Sequence, residues 1–216
     1  MRNDLVTLGD ISGFSWDYKY DGTTASYSST WSTSTLNTLL NDAYYNSGTT
    51  NYYNNSATPI ELKFESEGLS SKVHNKIERV EWKINGHNVT AIYTSEMYGY
   101  EREGTNSWSG KIALMNPSDY GYSVDLSSCQ SLLNNYGSKK CVDSSWIYNS
   151  TKHQWTLIPV TLYTDVVFNV LSLGRISNAY TYFNTFSVRP VLYLKSDVGV
   201  VEEKETSEGL KYLVVG

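Results

Sequence analysis

The residues of this chain that could do chemistry are three histidines, two cysteines and two closely spaced aspartates. His74, His87 and His153 share no motif with a serine, a cysteine or an aspartate, whereas nucleophilic catalysis needs a base next to its nucleophile. No G-x-S-x-G, H-E-x-x-H or phosphate-loop motif occurs. The sequence therefore predicts that the protein is not an enzyme and that each histidine has a surface or structural role.

The two aspartates lie in the sequence "DYKYDG", which partly resembles a calcium-binding loop. Asp17 and Asp21 are four residues apart and a glycine follows them. However, Lys19 occupies the middle ligand position, and no glutamate stands at the twelfth position, where such loops place a bidentate ligand. The sequence predicts no metal at these aspartates and no cofactor elsewhere.

Cys129 and Cys141 flank a polar loop, "QSLLNNYGSKK". Their spacing fits no zinc motif, and no second Cys/His pair lies nearby. One interpretation is a loop-closing disulfide formed in an oxidising compartment, and the other is two unpaired thiols in a cytosolic protein. We expect the disulfide.

The composition indicates a globular chain with a surface suited to binding. Of its 216 residues 40% are hydrophobic, only 18% are charged, and nineteen are tyrosines, and Tyr offers a large contact area with few rotors to freeze. The net charge of −5 without a basic patch makes nucleic acid and anionic membranes poor partners. The opening "MRNDLVTLGDISG" lacks an apolar core, so no signal peptide is predicted. No apolar run is long enough to insert into a membrane.

The elements that must position these residues begin with two helix signals. Leucines recur at helical spacing in 31–47, where Ser32 or Ser34 can act as the cap. A second helix is predicted within the stretch 67–84, capped by Ser70 or Ser71 and running into a short strand near 80–84. Residues 88–115 are predicted as strand, glycine-rich loop and strand, and "NPSDYGYS" as a turn cluster.

The C-terminal third has the pattern of strands, and the whole chain therefore predicts an α+β fold. Strands are expected in "QWTLIPV", "DVVFNVLSLGRIS" and "SVRPVLYLK", with Gly174 at a hairpin turn and a final hairpin strand in 201–216. We expect an extended segment over residues 1–30, followed by one ligand-binding domain over 31–216.

Several motifs, in order, resemble a known family. They are "GKIALMNPSDYGYS", the cysteine loop, "WIY" followed by "QWTLIP", "FNVLSLGRI" and "SVRPVLYLKSDV". The series, covering about residues 31–198, resembles secreted or surface proteins of gut bacteria and phages. These have a C-type-lectin-like domain of the formylglycine-generating-enzyme subtype, and some are variable proteins of diversity-generating retroelements. The resemblance implies two helices packed on small twisted antiparallel β-sheets, with the termini close together.

In such variable proteins, adenine-directed mutagenesis rewrites codons near the C-terminus, converting Asn to Tyr, Ser, Thr, Asp or Ile. The polar and aromatic residues between Trp155 and Val188 would then form an interchangeable binding surface on a fixed scaffold. The expected binding residues are Thr161, Tyr163, Thr164, Asp165, Asn169, Leu171, Leu173, Asn178, Tyr180, Tyr182, Asn184 and Phe186. The expected scaffold residues are Trp155, Phe168, Val170, Gly174, Val188, Arg189 and Pro190. Arg189 is expected to anchor the scaffold through buried hydrogen bonds, the alternative being an exposed arginine.

The resemblance implies a non-enzymatic domain that binds a protein or glycan on another cell or host surface. It would be displayed on a bacterial surface or phage particle, with its export signal and anchor supplied from outside this sequence. Oxidase activity is not carried over, because formylglycine-generating enzymes use closely spaced reactive cysteines and eleven residues separate the two cysteines here. Two alternatives stay open: a structural or stalk module, and a hydrolase or oxidase on the same scaffold.

Overall fold

A computed structural model of the chain describes residues 13–65, 68–69, 71–198, 200–205 and 211–215. The described α-helices are α1 (Thr35–Leu39), α2 (Ser71–His74), α3 (Thr94–Glu103), α4 (Pro117–Gly121) and α5 (Lys139–Ser144). The described strands are β1 (Lys19–Tyr20), β2 (Ala25–Ser26), β3 (Thr49–Tyr52), β4 (Ile60–Lys63), β5 (Val80–Lys83), β6 (Ser107–Gly110), β7 (Ile112–Leu114), β8 (His153–Pro159), β9 (Val166–Val170), β10 (Ile176–Tyr180), β11 (Phe186–Ser187), β12 (Pro190–Leu192), β13 (Val200–Glu205) and β14 (Lys211–Val215). The prediction of an α+β chain with small antiparallel sheets is confirmed, and the described residues contain five short α-helices where two helices were expected.

The largest sheet is built from the C-terminal third and has the order β10-β9-β8-β11. Its neighbours are antiparallel except for β11, which runs parallel to β8. The remaining strands form two-stranded antiparallel pairs, namely β1–β2, β3–β4, β5–β6, β7–β12 and β13–β14. All five residues of β9 are buried, so this strand is covered on both faces, which explains why its sequence alternates so weakly.

The residues expected to form the scaffold lie in the core. Every one of the seven is buried, and Trp155 and Phe168 are completely inaccessible to solvent. Gly174 adopts a φ of +81° at the hairpin turn between β9 and β10, a conformation that favours glycine. Arg189 is 3% exposed and donates from Nε to Gln154 Oε1 and from Nη2 to Ile147 O, both at 3.0 Å. The predicted buried anchor is confirmed.

The stretch 13–30, expected to be a separate extended segment, packs into the same core as the rest. Phe14 N donates to Phe186 O at 2.7 Å, and the Trp155 indole donates to Phe14 O at 2.6 Å. Trp16 is fully buried and donates from Nε1 to Thr156 O at 3.1 Å. These bonds tie the described part of the predicted N-terminal segment to the rest of the chain, and residues 1–12 lie outside the described residues.

The first predicted helix is confirmed. Ser34 is its cap, because its Oγ accepts the N–H of Asn37 at 3.1 Å. After α1 the chain continues as a π-helical stretch, Leu40–Tyr44, which is one turn of wider winding. Within it Asn41 accepts the N–H of Ile112 and donates to its carbonyl, at 3.1 and 2.8 Å, which ties this helix to β7.

Of the second predicted helix, the described residues contain only the single turn α2, whereas the short strand predicted at its end is present as β5. Ser70, one of the two predicted caps, lies outside the described residues. Beyond that turn the backbone pairs with the chain near residue 194 instead. Glu78 N donates to Tyr193 O at 2.8 Å, and Lys195 N donates to Lys76 O at 2.9 Å. The β-branched residues that suggested a helical face suit this extended pairing better.

The prediction of strand, loop and strand over 88–115 is also wrong in its first half, where the longest described helix, α3, lies. Its buried residues Thr94, Met97 and Glu101 follow helical spacing, and Glu96 Oε2 accepts the N–H of Tyr93 at 3.2 Å. The predicted turn cluster contains α4, which begins with proline. Its N-terminus is capped by the Asp119 carboxylate, which accepts the Asn116 N–H at 2.8 Å.

The predicted disulfide is present, joining Cys129 to Cys141. Both cysteines are buried, and α5 lies at the end of the loop that they close. None of the helices in the described part of the chain combines the length and apolar character that a membrane span requires.

We expect the loss of this disulfide to lower the free energy of unfolding by about 2 to 3 kcal/mol, because the bond restricts the unfolded chain over a short loop. Urea unfolding of Cys129→Ser/Cys141→Ser against the parent measures the loss. As a control, reductant should shift the parent midpoint and leave the double variant unchanged. An unaltered midpoint in the double variant would contradict the expectation.

Candidate ligand-binding surface

Two loops carrying predicted binding residues meet at one end of the largest sheet. One loop, 160–165, joins β8 to β9, and the other follows β10. Tyr180 pairs with Val166 across the two strands, and Thr181 N donates to Asp165 O at 2.9 Å. This pairing brings six predicted residues to one end of the sheet: Thr161, Tyr163, Thr164, Asp165, Tyr180 and Tyr182.

Four rings form an exposed cluster here, which we call the aromatic face: Tyr27, Tyr180, Tyr182 and Phe183. Tyr182 is its centre, with ring centroids 4.7 Å from Tyr27, 5.4 Å from Tyr180 in a stacked arrangement, and 5.1 Å from Phe183 edge-on. Tyr27, Tyr180 and Phe183 are 42%, 44% and 40% exposed. Desolvation first, and then the nearby Tyr27, Tyr180 and Asp165, raise the pKa of Tyr182, so its hydroxyl remains neutral.

The aromatic face is held from below by the backbone and by one buried carboxylate. The carbonyl of Thr181, a buried residue, accepts the N–H groups of Trp16 and Asp17 at 2.7 and 3.0 Å. The Asp17 carboxylate is fully buried and accepts the N–H groups of Ser28 and Thr35 at 2.8 and 2.9 Å. These bonds fix the segment 27–30, which carries Tyr27, against the loop that carries Tyr182.

Two of the predicted binding residues are corrected by the structure, because their side chains are buried. Asn169 lies in the middle of β9 with no exposed surface, and neither atom of its carboxamide has a partner among the described residues. Phe186 is 5% exposed and stacks on Trp155 with ring centroids 4.0 Å apart. Neither side chain can contact a ligand, and both belong to the core.

Four other predicted residues lie away from the aromatic face. Leu171 and Leu173 are at the hairpin turn after β9, and the five-residue strand separates them from Asp165 by roughly 15 Å. Asn178 is exposed in the middle of β10. Asn184 is half-buried and donates from Nδ2 to Asn54 O at 3.1 Å.

Sequence reasoning missed two residues of the aromatic face, Tyr27 and Phe183. Phe183 lies inside the Tyr/Asn tract, so the tract itself was the available signal. Tyr27 sits in the Ser/Thr-rich stretch "TTASYSSTWSTST", whose composition resembles that of the tract. Only the fold reveals that the two stretches touch.

Beside the aromatic face lies an open cleft of about 710 Å³. Three walls enclose it: the first is Ser28–Trp31, the second is 159–164, and the third combines 84–86 with 105–107, from near β5 and β6. Ser29 N donates to Thr164 O at 2.7 Å, and Asn85 Oδ1 accepts the Asn106 N–H at 2.9 Å. The bond from Ser29 to Thr164 joins the first two walls directly. The bond between Asn85 and Asn106 holds the two stretches of the third wall together.

The three histidines of the chain make their contacts at separate places in the structure. His74 stacks on Tyr45 with centroids 4.1 Å apart, His87 lies 4.1 Å from the ring of Tyr100, and His153 Nδ1 accepts the N–H of Ser172 at 2.8 Å. None of the three is hydrogen-bonded to a serine hydroxyl or a carboxylate in the described residues. Among the described residues, therefore, no histidine is placed to act as the base for a serine nucleophile.

Glu101 is the most perturbed carboxyl group near this region. Burial raises its pKa to about 8, although Ser118 donates to it from both N and Oγ. The side chain is 1% exposed at the contact between α3 and α4. A substrate cannot reach it there, so its geometry fits a structural role.

The "DYKYDG" carboxylates are occupied by protein donors. Lys19 Nζ lies 3.0 Å from Asp17 Oδ2, and the oxygens of Asp21 accept from Thr23 and Thr24, which lowers the pKa of Asp21. No group of three or more His, Cys, Asp or Glu side chains in the described ranges could hold a metal ion.

Comparison of the chain with protein-family models, curated proteins and solved structures found no match to it.

Proposed function

We propose that this chain is a non-enzymatic binding domain whose aromatic face contacts a protein or glycan on another cell. The proposal includes a C-type-lectin-like fold and a place among the variable proteins of diversity-generating retroelements, displayed on a bacterial surface or phage particle. A disulfide between buried cysteines is consistent with display in an oxidising environment.

The observation that supports the proposal best is that the C-terminal third places its aromatic tract at the surface and the neighbouring apolar side chains in the core. Tyr180 and Phe183 are 44% and 40% exposed, whereas their neighbours Val166, Val167 and Phe168 are at most 6% exposed. Large exposed aromatic side chains are costly in solubility unless a partner covers them. Rigid Tyr rings among Ser, Thr and Asn are also the composition of antibody loops.

The division into exposed and buried side chains also suits a surface that tolerates substitution. Exposed side chains usually alter the free energy of unfolding by within about 0.5 kcal/mol when they are replaced. The loop that carries Tyr182 is positioned mainly by backbone bonds at Thr181, which do not depend on side-chain identity. Codons for the exposed residues could therefore vary while the backbone beneath them stays in place.

We expect Tyr180→Ala/Tyr182→Ala to weaken binding to target cells by about tenfold to a hundredfold, typical of losing central aromatic contacts. The labelled chain would be titrated onto gut-bacterial and host epithelial cells and measured by flow cytometry, with melting temperatures recorded in parallel. The matched control is Tyr93→Ala/Tyr100→Ala, which removes two exposed tyrosines, one at the N-cap of α3 and one in its second half.

Binding equally reduced in both double variants, or unaffected in both, would point to a stalk and contradict the proposal. The retroelement assignment has its own test in the genome. It requires an adjacent reverse transcriptase and a near-copy of the codons for 155–188 that differs at adenines.

A further inference from the structure

We propose that the cleft beside the aromatic face binds an uncharged oligosaccharide. The inference rests on the proposed binding function, since Thr161, Tyr163 and Thr164 line the cleft and also belong to the predicted binding residues. It goes further because it assigns the chemical class of the ligand. It also includes in the binding site residues that lie outside the C-terminal tract. The cleft volume, about 710 Å³, lies within the usual range for small-molecule sites, about 300 to 1,000 Å³.

The charge of the lining selects the ligand class. Every residue that lines the cleft is uncharged at neutral pH, being Ser, Thr, Asn, Gly, Pro, Val, Ile, Trp or Tyr. A charged ligand would lose water there without gaining a counter-charge, which is unfavourable. The cleft therefore favours a neutral ligand over an acidic peptide, a nucleotide or a sialylated glycan.

The polar groups of the lining favour a ligand rich in hydroxyls. The side chains of Thr105, Asn106, Thr161 and Thr164 make no hydrogen bond to other described residues and are exposed. Each hydroxyl can donate once and accept twice, and the carboxamide can do both. Sugar hydroxyls have the same dual character, so they can replace the waters on these groups without leaving them unpaired.

Aromatic residues supply the apolar contacts that a sugar ring also needs. The Tyr163 side chain is 57% exposed, and its ring stacks on no other ring of the described chain. Beneath the cleft, Trp31 is 1% exposed and its indole N–H has no partner among the described residues. A flat ring at the rim provides a surface for the C–H face of a sugar.

The cleft is also pre-formed, which lowers the entropic cost of binding. Asn85 is buried and bonds to both the Asn106 N–H and the Glu101 carbonyl, each at 2.9 Å, which holds the wall at 105–107. On the other side, Thr161 N donates to His87 O at 3.0 Å. Both walls are thus fixed by bonds that leave the Asn106 and Thr161 side chains available.

The test titrates the whole chain with neutral oligosaccharides, namely malto-, cello-, xylo- and N-acetylchito-oligosaccharides, by saturation-transfer NMR and calorimetry. Sialyllactose, oligogalacturonate and neutral pentapeptides serve as competitors of other chemistry. We expect at least one neutral series to bind with a Kd below about 1 mM. Thr161→Val, which keeps the side-chain shape, combined with Asn106→Ala should weaken that binding about tenfold or more, and Tyr163→Ala likewise.

The controls separate this inference from the proposed function. Tyr180→Ala/Tyr182→Ala should change saccharide affinity less than about twofold while reducing cell binding, and the melting temperatures of the cleft variants should stay at the parent value. If no neutral oligosaccharide binds, or if charged sugars or peptides bind more tightly, the cleft inference is overturned although the aromatic face can still bind cells. If oligosaccharide binds as expected but the tyrosine variants bind cells normally, the proposed function fails and the cleft assignment stands.

Discussion

Replacing Arg189 by alanine is expected to lower the free energy of unfolding by about 4 kcal/mol, the largest effect of any substitution considered. The guanidinium is buried and joins Gln154 on β8 to the carbonyl of Ile147 in the loop after α5. Alanine would leave both acceptors without these donors in a buried site. Removing one partner from a buried, hydrogen-bonded charged interaction typically lowers the free energy of unfolding by about 3 to 5 kcal/mol.

Chemical denaturation of Arg189→Ala and of the parent measures this difference. Arg175→Ala is the matched control, because Arg175 is exposed directly before β10 and its replacement should change the unfolding midpoint little. The unfolding midpoint of Arg189→Lys should lie between those of the two alanine variants. A single ammonium group cannot donate in both directions as the planar guanidinium does. An Arg189→Ala midpoint equal to that of Arg175→Ala would show that the anchor contributes nothing.

Binding should respond differently from stability in this variant. Arg189 contacts Gln154 and Ile147, and neither residue belongs to the aromatic face. At a temperature where Arg189→Ala is still folded, its affinity for target cells should equal that of the parent. A loss of affinity in the folded variant would mean that the scaffold and the binding surface are not energetically separate.

The sequence predicted β8 and β9, the two central strands of the C-terminal sheet, because both carry their own local signals. It predicted only the start of β10, and the strand predicted in "SVRPVLYLK" contains β12, which pairs with β7 instead. The weak alternation of β9, with apolar residues on both faces, matches a strand covered on both sides. The same burial explains the failure at Asn169. A polar residue in a Tyr/Asn-rich third suggested an exposed position, but its strand lies in the middle of the sheet. Composition describes a stretch, whereas burial is decided for each residue by its neighbours.

The helices were predicted less well, for two physical reasons. In α3, the tyrosines and Gly99 disfavour a helix locally, and the helix forms because Met97 and Glu101 pack inward. In 75–79, apolar spacing suggested a helix, but pairing near Tyr193 was available from a distant part of the chain. The short strand predicted after it formed as β5 and pairs with β6. Both outcomes depend on long-range contacts that a local pattern cannot contain.

The candidate site could be predicted only in part for the same reason. Tyr180 and Tyr182 belong to one tract, so their proximity follows from the sequence. The contact of Tyr182 with Tyr27 depends instead on the buried Asp17, which places the segment 27–30. The sequence suggested a metal-binding role for Asp17 and then excluded it, but it offered no sign that this carboxylate organises the surface.

Asp17→Ala is therefore expected to reduce both stability and binding, unlike the arginine variant. Its carboxylate accepts the N–H groups of Ser28 and Thr35 from a fully buried position. Without it these donors lose their acceptor, and we expect the free energy of unfolding to fall by about 3 kcal/mol. Lys19 contributes little to this loss, because its side chain is 42% exposed and can return to water.

The matched control for Asp17→Ala is Asp21→Ala, in the same short sequence. Asp21 also accepts several hydrogen bonds, from Thr23 and Thr24, but all of them are exposed. Water can replace that carboxylate, so the melting temperature and cell binding of Asp21→Ala should stay close to those of the parent. Similar effects in the two variants would mean that burial of Asp17 has no special importance.

The position of the segment 27–30 links the stability of Asp17→Ala to its function. When the Ser28 N–H is released, Tyr27 can leave Tyr182, and the first wall of the cleft can move with it. We expect folded Asp17→Ala to bind cells at least about tenfold more weakly, the size of a lost interfacial aromatic contact. Hydrogen exchange should show faster exchange at the amides of Ser28 and Ser29, while the amides of β9 keep their protection. Unchanged exchange at Ser28 together with full affinity would show that other contacts hold this segment in place.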